Sequence, residues 1–173
     1  MSRISLYIPS PDDYWYEQKL EEDPETMSYN AGYDVSYAGY HYDSGCIDFP
    51  KECWKTAYDR RVRENRYFAY IRDEEKDCFV GYVNYQYDQE KERYECGIVI
   101  EGKYRHRGYG KDALKLLCDT ARKNGVKELY DEFEADRDHV PDLFLSQGFE
   151  IVEEKQWPKF RKNVKGITVR KIL

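Results

Sequence analysis

The chain has 173 residues, 34 of them Asp or Glu and 28 Lys or Arg, and its formal net charge at pH 7 is −6. This length is enough for one domain with a substantial core, and the 18 tyrosines supply buried area that disordered chains lack. The negative charge argues against general nucleic-acid binding. No apolar run resembles an export signal or reaches membrane-spanning length, so we expect no membrane partner.

Five cysteines and three histidines are scattered along the chain. The cysteines are odd in number and form no C-x-x-C pair, which favours reduced thiols in the cytoplasm. Neither residue type repeats at the spacing of a metal site, so we expect no metal cofactor.

The N-terminal third is acidic and rich in tyrosine. Residues 4–8 predict a first strand, and Ser10 with Pro11 predicts the cap and first turn of a helix that runs to about residue 22. Residues 29–50 contain five tyrosines and three glycines, which predicts a loop or a broken helix. Two interpretations remain open for this stretch: a lid packed by its own rings, or an aromatic wall for a substrate.

A helix predicted over residues 51–64 carries Arg60, Arg61 and Arg63, which are predicted to form a solvated face. Three strands follow, predicted over residues 67–71, 78–87 and 94–100. The turns between them are short and polar, so the strands are expected to be antiparallel neighbours, with Gly81 at a bulge in the second.

The stretch from residue 94 to residue 125 has the pattern of a strand, a tight basic glycine loop and an amphipathic helix. The loop covers Arg105 to Gly110, and the helix is predicted to begin near Lys111. Two glycines let an anion approach the free N–H groups at the positive end of a helix, and Arg107 adds charge. The pattern therefore predicts a phosphate-binding loop. The apolar face of its helix comprises Leu114, Leu117, Cys118 and Ala121.

Two known loop signatures fit this stretch. Gly108-x-Gly110-x-x-Ala113 satisfies the dinucleotide fingerprint G-x-G-x-x-G/A. Asp131 and Glu132 lie about twenty residues further on, where that fingerprint places an acidic residue. Arg105-x-x-Gly108-x-Gly110 resembles the loop of the GNAT N-acetyltransferase superfamily, which holds the pyrophosphate of an acyl-coenzyme A. A dinucleotide fold opens with its βαβ unit, whereas this loop follows an antiparallel meander. The context therefore favours the acetyltransferase resemblance.

The C-terminal part strengthens that resemblance. A strand is predicted over residues 126–134, then a short helix capped by Asp138 or His139 and ended by Gly148. The segment Leu-Phe-Leu-Ser-Gln-Gly-Phe in this region is similar to the superfamily's late helix and Gly-Phe step. Two last strands, over residues 150–154 and 167–172, are expected to form a hairpin.

The resemblance implies a single α+β domain over residues 1–173, arranged as a three-layer α/β/α structure. Its central sheet would be mixed and mostly antiparallel, with about six to seven strands splayed at the cofactor site and with about four helices. Residues 1–65 would shape the acceptor site, residues 66–154 would form the acyl-CoA-binding core, and residues 155–173 would complete a C-terminal hairpin.

The resemblance also implies direct transfer of an acetyl group from acetyl-CoA to a primary amine. The pantetheine arm would bond to the backbone of the central strand, and a backbone N–H near Val99 or Ile100 would polarise the acyl carbonyl. The pyrophosphate would lie on the glycine loop. The residues assigned to cofactor binding in this way are Ile98, Val99, Ile100, Arg105, His106, Arg107, Gly108, Tyr109, Gly110, Lys111 and Phe144.

The attacking amine must lose a proton, and a carboxylate can accept it. Glu95 is the candidate general base, because some relatives carry a glutamate before the cofactor-binding part of this strand; the alternative is a surface carboxylate. Glu132 and Glu134 on the next strand are the other candidates. In relatives a tyrosine commonly protonates the leaving thiolate, but Phe144 occupies that position here, and Arg137 stands where many relatives have asparagine.

Without that tyrosine, another tyrosine or water would donate the proton, or the thiolate, with a pKa of about 8.5, would leave unaided. A non-catalytic acyl-CoA-binding or regulatory module is the alternative function. The acceptor is open among protein N-termini, lysines, polyamines, aminoglycosides and small metabolites, and the acidic N-terminal third favours a cationic small molecule. Dimers are common among relatives, so a homodimer is an expectation.

Overall fold

The computed structural model describes residues 3–173, and within them seven strands form one sheet, accompanied by five α-helices. The strands are β1 (Ile4–Tyr7), β2 (Tyr67–Asp73), β3 (Cys78–Asp88), β4 (Arg93–Ile100), β5 (Glu128–Glu134), β6 (Glu150–Lys159) and β7 (Lys162–Ile172). The helices are α1 (Trp15–Glu21), α2 (Pro24–Met27), α3 (Lys51–Arg63), α4 (Tyr109–Lys123) and α5 (Val140–Ser146).

The strand order is β1-β2-β3-β4-β5-β7-β6. Every neighbouring pair is antiparallel except β4 and β5, which are parallel and paired only at Glu95 and Tyr130. Beyond that one register pair the two strands diverge toward their carboxyl ends. This mixed, mostly antiparallel sheet, open between β4 and β5, confirms the predicted fold class.

Helices cover both faces of the sheet, which gives the predicted three layers. On one face, α4 buries its predicted apolar side against core residues such as Val83 and Leu129. On the other face, Tyr16 and Leu20 of α1 pack against Tyr82. The strong apolar periodicity of α4 therefore determines which side of the sheet it covers.

A bulge lies where Gly81 was predicted to produce one. The register between β2 and β3 shifts between Ile71 and Arg72, and Gly81 is the partner of Ile71. A Cβ atom at Gly81 would lie 2.1 Å from the carbonyl oxygen of Val99, so only glycine allows β4 to approach this closely. The missing side chain of Gly81 thus lets β4, the central strand of the site, pack closely against β3.

The C-terminal hairpin is longer than the sequence predicted. Its strands reach Lys159 and begin again at Lys162, so the turn contains only Phe160 and Arg161. Both turn residues have positive φ, 50° and 60°, as a tight hairpin turn requires, but they lack the Asn-Gly or Asp-Gly signature. Pro158 is tolerated because β6 is an edge strand.

The prediction that Arg61 belongs to a solvated face is wrong. Its guanidinium donates hydrogen bonds of 2.7 and 2.6 Å to the carboxylate of Glu17 on α1. The same group lies 3.8 Å from the ring centroid of Phe68. The exposed fractions of the two side chains are 19% for Arg61 and 7% for Glu17, so this ion pair joins α3 to α1 beneath the surface.

Candidate active site

The glycine loop presents unpaired backbone donors. Gly108 caps α4 in the left-handed conformation, with φ of 86°, and a Cβ atom there would meet no atom within 4 Å. Within residues 3–173, the backbone N–H groups of residues 106–111 donate to no other backbone group. Free N–H groups at a helix N-terminus, beneath open space, are suited to bind an anion such as a pyrophosphate.

Tyr109 fixes this end of α4 to the sheet. Its buried hydroxyl donates to the carboxylate of Asp73 and accepts a 2.7 Å hydrogen bond from Lys76. The guanidinium carbon of Arg3 lies 4.0 Å from the centroid of the same ring. The hydrogen bond from Tyr109 is the main reason that the pKa of Asp73 is lowered to about 2. The loop is therefore supported by a rigid, charged anchor.

Arg105 connects the loop to α2. Its guanidinium donates to the backbone carbonyls of Ile100, Glu25 and Thr26 at 3.2, 3.2 and 2.7 Å. Burial, followed by the nearby charge of Arg137, lowers the pKa of Arg105. Since its donors are already engaged, Arg105 acts mainly as a positioning residue for the loop.

A cavity of about 490 Å³ opens between the diverging strands β4 and β5 and reaches the glycine loop. Ten of the eleven residues predicted to bind the cofactor line it, and Arg107 is the exception. Those ten are Ile98, Val99, Ile100, Arg105, His106, Gly108, Tyr109, Gly110, Lys111 and Phe144. The structure thus brings the end of β4, the loop and α5 together around one space.

Other lining residues were not among those predicted to bind the cofactor. Tyr29 enters from the segment after α2, and the guanidinium of Arg137 lies 4.1 Å from its ring centroid. His139 packs edge-on against His106, with 4.9 Å between ring centroids, so the loop before α5 contacts the glycine loop. These contacts join segments far apart in sequence, and no local pattern could have indicated them.

Asp131 is the acidic residue in this cavity that the sequence could have revealed. It lies between Leu129 and Phe133, two buried apolar residues on the same face of β5. Burial raises the pKa of the Asp131 carboxyl to about 8, against the effects of a backbone N–H from Glu132 and of the charge of Arg137. An acidic residue that interrupts an apolar alternation was the available signal.

Neither Glu95 nor Glu132, two of the three predicted bases, lines this cavity. Lys91 and Arg93 bind both carboxylates at 2.7 to 3.2 Å, and Lys155 also binds Glu132 at 2.6 Å. Burial opposes ionisation of Glu132, but hydrogen bonds from these cations prevail and lower its pKa to about 2.

A second cavity, of about 390 Å³, lies on the opposite face of β5. Glu132 lines it together with Tyr33 and Trp157, and the indole N–H of Trp157 is buried without a hydrogen-bond partner among residues 3–173. Glu134, the third predicted carboxylate, lies nearby but is bound by Lys159 at 2.5 Å and by the hydroxyl of Tyr33. Of the three predicted carboxylates, only Glu132 therefore lines this second space.

The tyrosine-rich stretch contributes to both cavities through Tyr29 and Tyr33. It is also packed internally, as the lid interpretation requires. The rings of Tyr37 and Tyr40 lie 5.2 Å apart, and the hydroxyl of Tyr40 donates to the carbonyl of Asn30 at 2.7 Å. The stretch is therefore internally packed and also contacts the two cavities, and its role as a wall for a substrate stays a prediction.

Glu21 is a buried carboxyl on the α1 side of the sheet, 8% exposed. Tyr82 donates to its Oε1 at 3.3 Å, while Oε2 has no partner within the described residues. Burial and then the charge of Glu17 raise the pKa of Glu21 to about 7. The acidic residues of the N-terminal third are therefore partly committed to internal contacts.

In the part of the chain that the structure describes, no cluster of three or more His, Cys, Asp or Glu side chains is arranged to hold a metal ion. No helix in residues 3–173 combines the length and the apolar character needed to cross a membrane.

Comparison with known proteins gives one family and many similar folds. The sequence model described as the acetyltransferase (GNAT) family matches residues 6–149. A search of curated protein sequences gives no significant match.

Three solved structures illustrate the similarity in fold. A spermidine N-acetyltransferase from Vibrio cholerae, in complex with CoA and spermine, is 13% identical with a TM-score of 0.78, over 99% of this chain and 96% of that one. A phosphinothricin acetyltransferase from Sinorhizobium meliloti, in complex with acetyl-CoA, is 13% identical with a TM-score of 0.77, over 99% and 89%. A ribosomal-protein-alanine N-acetyltransferase from Brucella melitensis is 21% identical with a TM-score of 0.75, over 98% and 99%. At these identities the similarity establishes the fold.

Proposed function

Since the chain belongs to the acetyltransferase (GNAT) family and is an acetyl-CoA-dependent N-acetyltransferase, we propose that its acceptor is a small-molecule primary amine. The acetyl-CoA is assigned to the cavity between β4 and β5, which has free N–H groups at one end, and the observation that carries the proposal for the acceptor is the second cavity, lined by Tyr33, Glu132 and Trp157. Residues 106–111 would hold the pyrophosphate, and the diverging backbone of Ile98 to Ile100 would bond to the pantetheine arm.

The second cavity supports a small acceptor. It lies on the other face of β5, so an amine bound there would approach the thioester from the side opposite to the cofactor. The aromatic rings of Tyr33 and Trp157 offer an apolar wall, and residues 1–65 would shape the acceptor site through Tyr33 and its neighbours. Two proteins of similar fold are a spermidine N-acetyltransferase and a phosphinothricin acetyltransferase, which agrees with a small amine.

Glu132 is the best placed of the three predicted bases. It lines the second cavity, whereas Glu95 lines neither cavity. Its low pKa keeps it ionised at neutral pH, so it is always available to accept a proton, although it is a weak base. We therefore propose that Glu132 passes the amine's proton on to solvent rather than storing it.

The cytoplasmic location and the homodimer remain proposals. Five free cysteines agree with a reducing compartment. Size-exclusion chromatography with light scattering would give the oligomeric state.

A thermal-melt comparison tests the cofactor site. Acetyl-CoA, CoA, NAD and NADP are each added in large excess, and a ligand at a hundred times its dissociation constant stabilises the protein by about 2.7 kcal/mol. We expect only the two CoA species to raise the melting temperature. Stabilisation by NAD or NADP instead would contradict the assignment of the loop.

Two glycines provide matched variants for this test. Gly108 and Gly125 have the same φ, 86°, and a Cβ atom at either position meets nothing within 4 Å. Replacing either by alanine therefore imposes a similar backbone strain of about 1 kcal/mol. Gly108→Ala should lose the stabilisation by CoA, whereas Gly125→Ala should keep it.

Release of free thiol from acetyl-CoA identifies the acceptor. The panel contains a polyamine, an aminoglycoside, amino acids, and peptides with a free N-terminus or a lysine. We expect thiol release with a small amine and not with peptides. Tight binding of acetyl-CoA without thiol release for any member would support the non-catalytic alternative.

A further inference from the structure

We infer that Asp131 is the catalytic residue that protonates the thiolate of coenzyme A as it leaves, a role for which Phe144 has no proton. This inference rests on the proposed function. It assigns the reaction a general acid on β5 rather than on α5.

The position of Asp131 in the sheet comes first. The residue before it, Tyr130, forms the single register pair that joins β5 to β4. Asp131 therefore lies at the narrow inner end of the cleft, where the strands begin to diverge. Side chains alternate along a strand, so Asp131 shares a face with Leu129 and Phe133, the face covered by α4 and α5.

The inner end of the cleft is where the thioester would lie. The glycine loop that would hold the pyrophosphate follows the carboxyl end of β4, at the outer end of the cavity. By the register of Glu95 and Tyr130, Asp131 lies level with Cys96, about 7 Å inward of Ile98 at about 3.3 Å per residue. An arm that runs inward from the loop along Ile100 and Ile98 and reaches this level would place the acyl carbonyl inward of Ile98 rather than near Val99 or Ile100. The sulfur at the end of that arm would then face β5.

The contacts of Asp131 leave one oxygen available. Oδ1 accepts a 2.7 Å hydrogen bond from the backbone N–H of Glu132. Among residues 3–173, Oδ2 takes part in no hydrogen bond, and it is not one of the buried unpartnered atoms, so it is accessible from the cavity. A carboxyl held at one oxygen and open at the other can present its proton to a bound atom.

Burial, with a smaller effect of two neighbouring carboxylates, keeps that proton on the carboxyl at neutral pH. Burial is the largest cause of the raised pKa, about 8, and the charges of Glu95 and Glu132 add to it, while Arg137 acts against it. The titratable groups that interact with Asp131 are Glu95 and Cys96 on β4, Glu132 on β5, Arg137 before α5, and Tyr29 after α2. The cavity wall further carries Arg105, His106, Lys111, Asp138 and His139.

Phe144 is fully buried and engaged in packing. Its ring centroid lies 5.0 Å from that of Phe133 and 5.0 Å from that of Phe149. It lines the same cavity as Asp131. The α5 position at which relatives carry a tyrosine and the Asp131 carboxyl on β5 therefore line the same cavity.

The proton inventory of the step balances. The amine nitrogen bonds to the acyl carbon, the carbon–sulfur bond breaks, and its electron pair stays on sulfur. The Asp131 carboxyl gives its proton to sulfur and becomes a carboxylate. The nitrogen enters as an ammonium group and loses one proton before the attack and one as the amide forms, both to solvent by way of Glu132. Asp131 regains a proton from solvent through the cavity before the next turnover.

Activity measurements test this role with Asp131→Asn. We expect kcat to fall by about 100-fold, as for loss of a general acid, with little change in KM for acetyl-CoA. The decline of kcat above about pH 8 should disappear. Asp119→Asn, an exposed carboxyl on α4 outside the cavity, should leave both kcat and its pH profile unchanged.

A rescue variant separates chemistry from packing. Adding Phe144→Tyr to Asp131→Asn should recover at least tenfold in kcat and move the decline to higher pH, since tyrosine has a pKa of about 10. If the amide variant fails to fold, Asp131→Leu, which matches its apolar neighbours, replaces it. Unchanged kcat and pH profile in a folded variant, or no rescue, would overturn the inference.

An infrared titration tests the proton itself without turnover. Because the raised pKa of Glu21, about 7, would add a second band, the titration is made in a Glu21→Gln background. There the C=O stretch of a protonated carboxylic acid should be present at pH 7, disappear with a midpoint near 8, and be lost when Asp131→Asn is added. Absence of this band from Glu21→Gln at pH 7 would overturn the inference even if acetyl transfer is observed. Its presence in a protein that transfers no acetyl group would instead refute the proposed function alone.

Discussion

Replacing Arg61 by methionine should leave a carboxylate buried without its partner. Glu17 is almost inaccessible to solvent, and both of its carboxylate oxygens accept hydrogen bonds from Arg61, at 2.6 and 2.7 Å. Methionine keeps an unbranched stem to pack over Phe68 but removes the charge. Breaking a buried pair in this way costs about 3–5 kcal/mol, a large part of the 5–15 kcal/mol by which a typical domain is stable.

Urea unfolding at pH 7 measures this cost. Arg61→Met should lower the free energy of unfolding by about 3–5 kcal/mol, whereas Lys55→Met should lower it by less than about 1 kcal/mol. Lys55 is the matched control, because it lies on the same helix and binds Asp59 at 2.6 Å, but its side chain is 78% exposed.

A double-mutant cycle distinguishes lost pairing from lost packing. Combining Arg61→Met with Glu17→Gln removes both charges. The loss of unfolding free energy in the double variant should therefore be clearly smaller than the sum of the losses in the two single variants. Strict additivity, or a cost for Arg61→Met no larger than that for Lys55→Met, would refute the reasoning.

Three further outcomes are expected from the same structure. A Cβ atom on Gly166 would lie 1.9 Å from the ring of Trp157. Gly166→Ala should therefore displace the indole, lower the free energy of unfolding by about 1–3 kcal/mol and shift the tryptophan fluorescence. Unchanged emission and melting temperature would contradict this expectation. Arg105→Met removes the hydrogen bonds that join the loop to α2. Calorimetric titration should then show acetyl-CoA binding weakened about tenfold, which corresponds to about 1.4 kcal/mol. An unchanged dissociation constant would contradict this role of Arg105. The pKa of Glu21 is raised in the folded protein, so its contribution to stability falls as the pH rises from about 4.5 through about 7. Glu21→Gln should therefore be more stable than the parent at pH 8, by on the order of 3 kcal/mol, and show no gain at pH 4; an equal difference at both pH values would contradict the titration.

The parts of the fold that sequence predicted well depend on local chemistry. The apolar face of α4, the polar turns of the meander and the glycine loop are each determined by residues within a few positions of one another. The loop was therefore located correctly, although α4 begins at Tyr109 rather than near Lys111. The length of the C-terminal hairpin was missed, because cross-strand pairing, rather than turn chemistry, extends it past Glu154.

The part of the cavity formed by one continuous segment of the chain could be predicted from the sequence. The contacts between segments distant in sequence could not. Ten of the eleven assigned cofactor residues come together because strand, loop and helix are consecutive in the chain. The environments of Glu95 and Glu132 depend on Lys91, Arg93 and Lys155, and Lys155 reaches Glu132 only through the hairpin. The pKa of such a carboxyl depends on partners distant in sequence, which a single sequence does not reveal.

The single register pair between β4 and β5 divides the sheet mechanically. Strands β1 to β4 form one slab and β5, β7 and β6 form another, with α4 packed across both. Within the described sheet, the backbone pairing that resists their separation is one register pair, fewer than between any other two neighbouring strands. A pantetheine arm that bonds to the strand backbone in the gap between β4 and β5 would link the two halves of the sheet through its own hydrogen bonds, so the protein would be more rigid with the cofactor bound than without it.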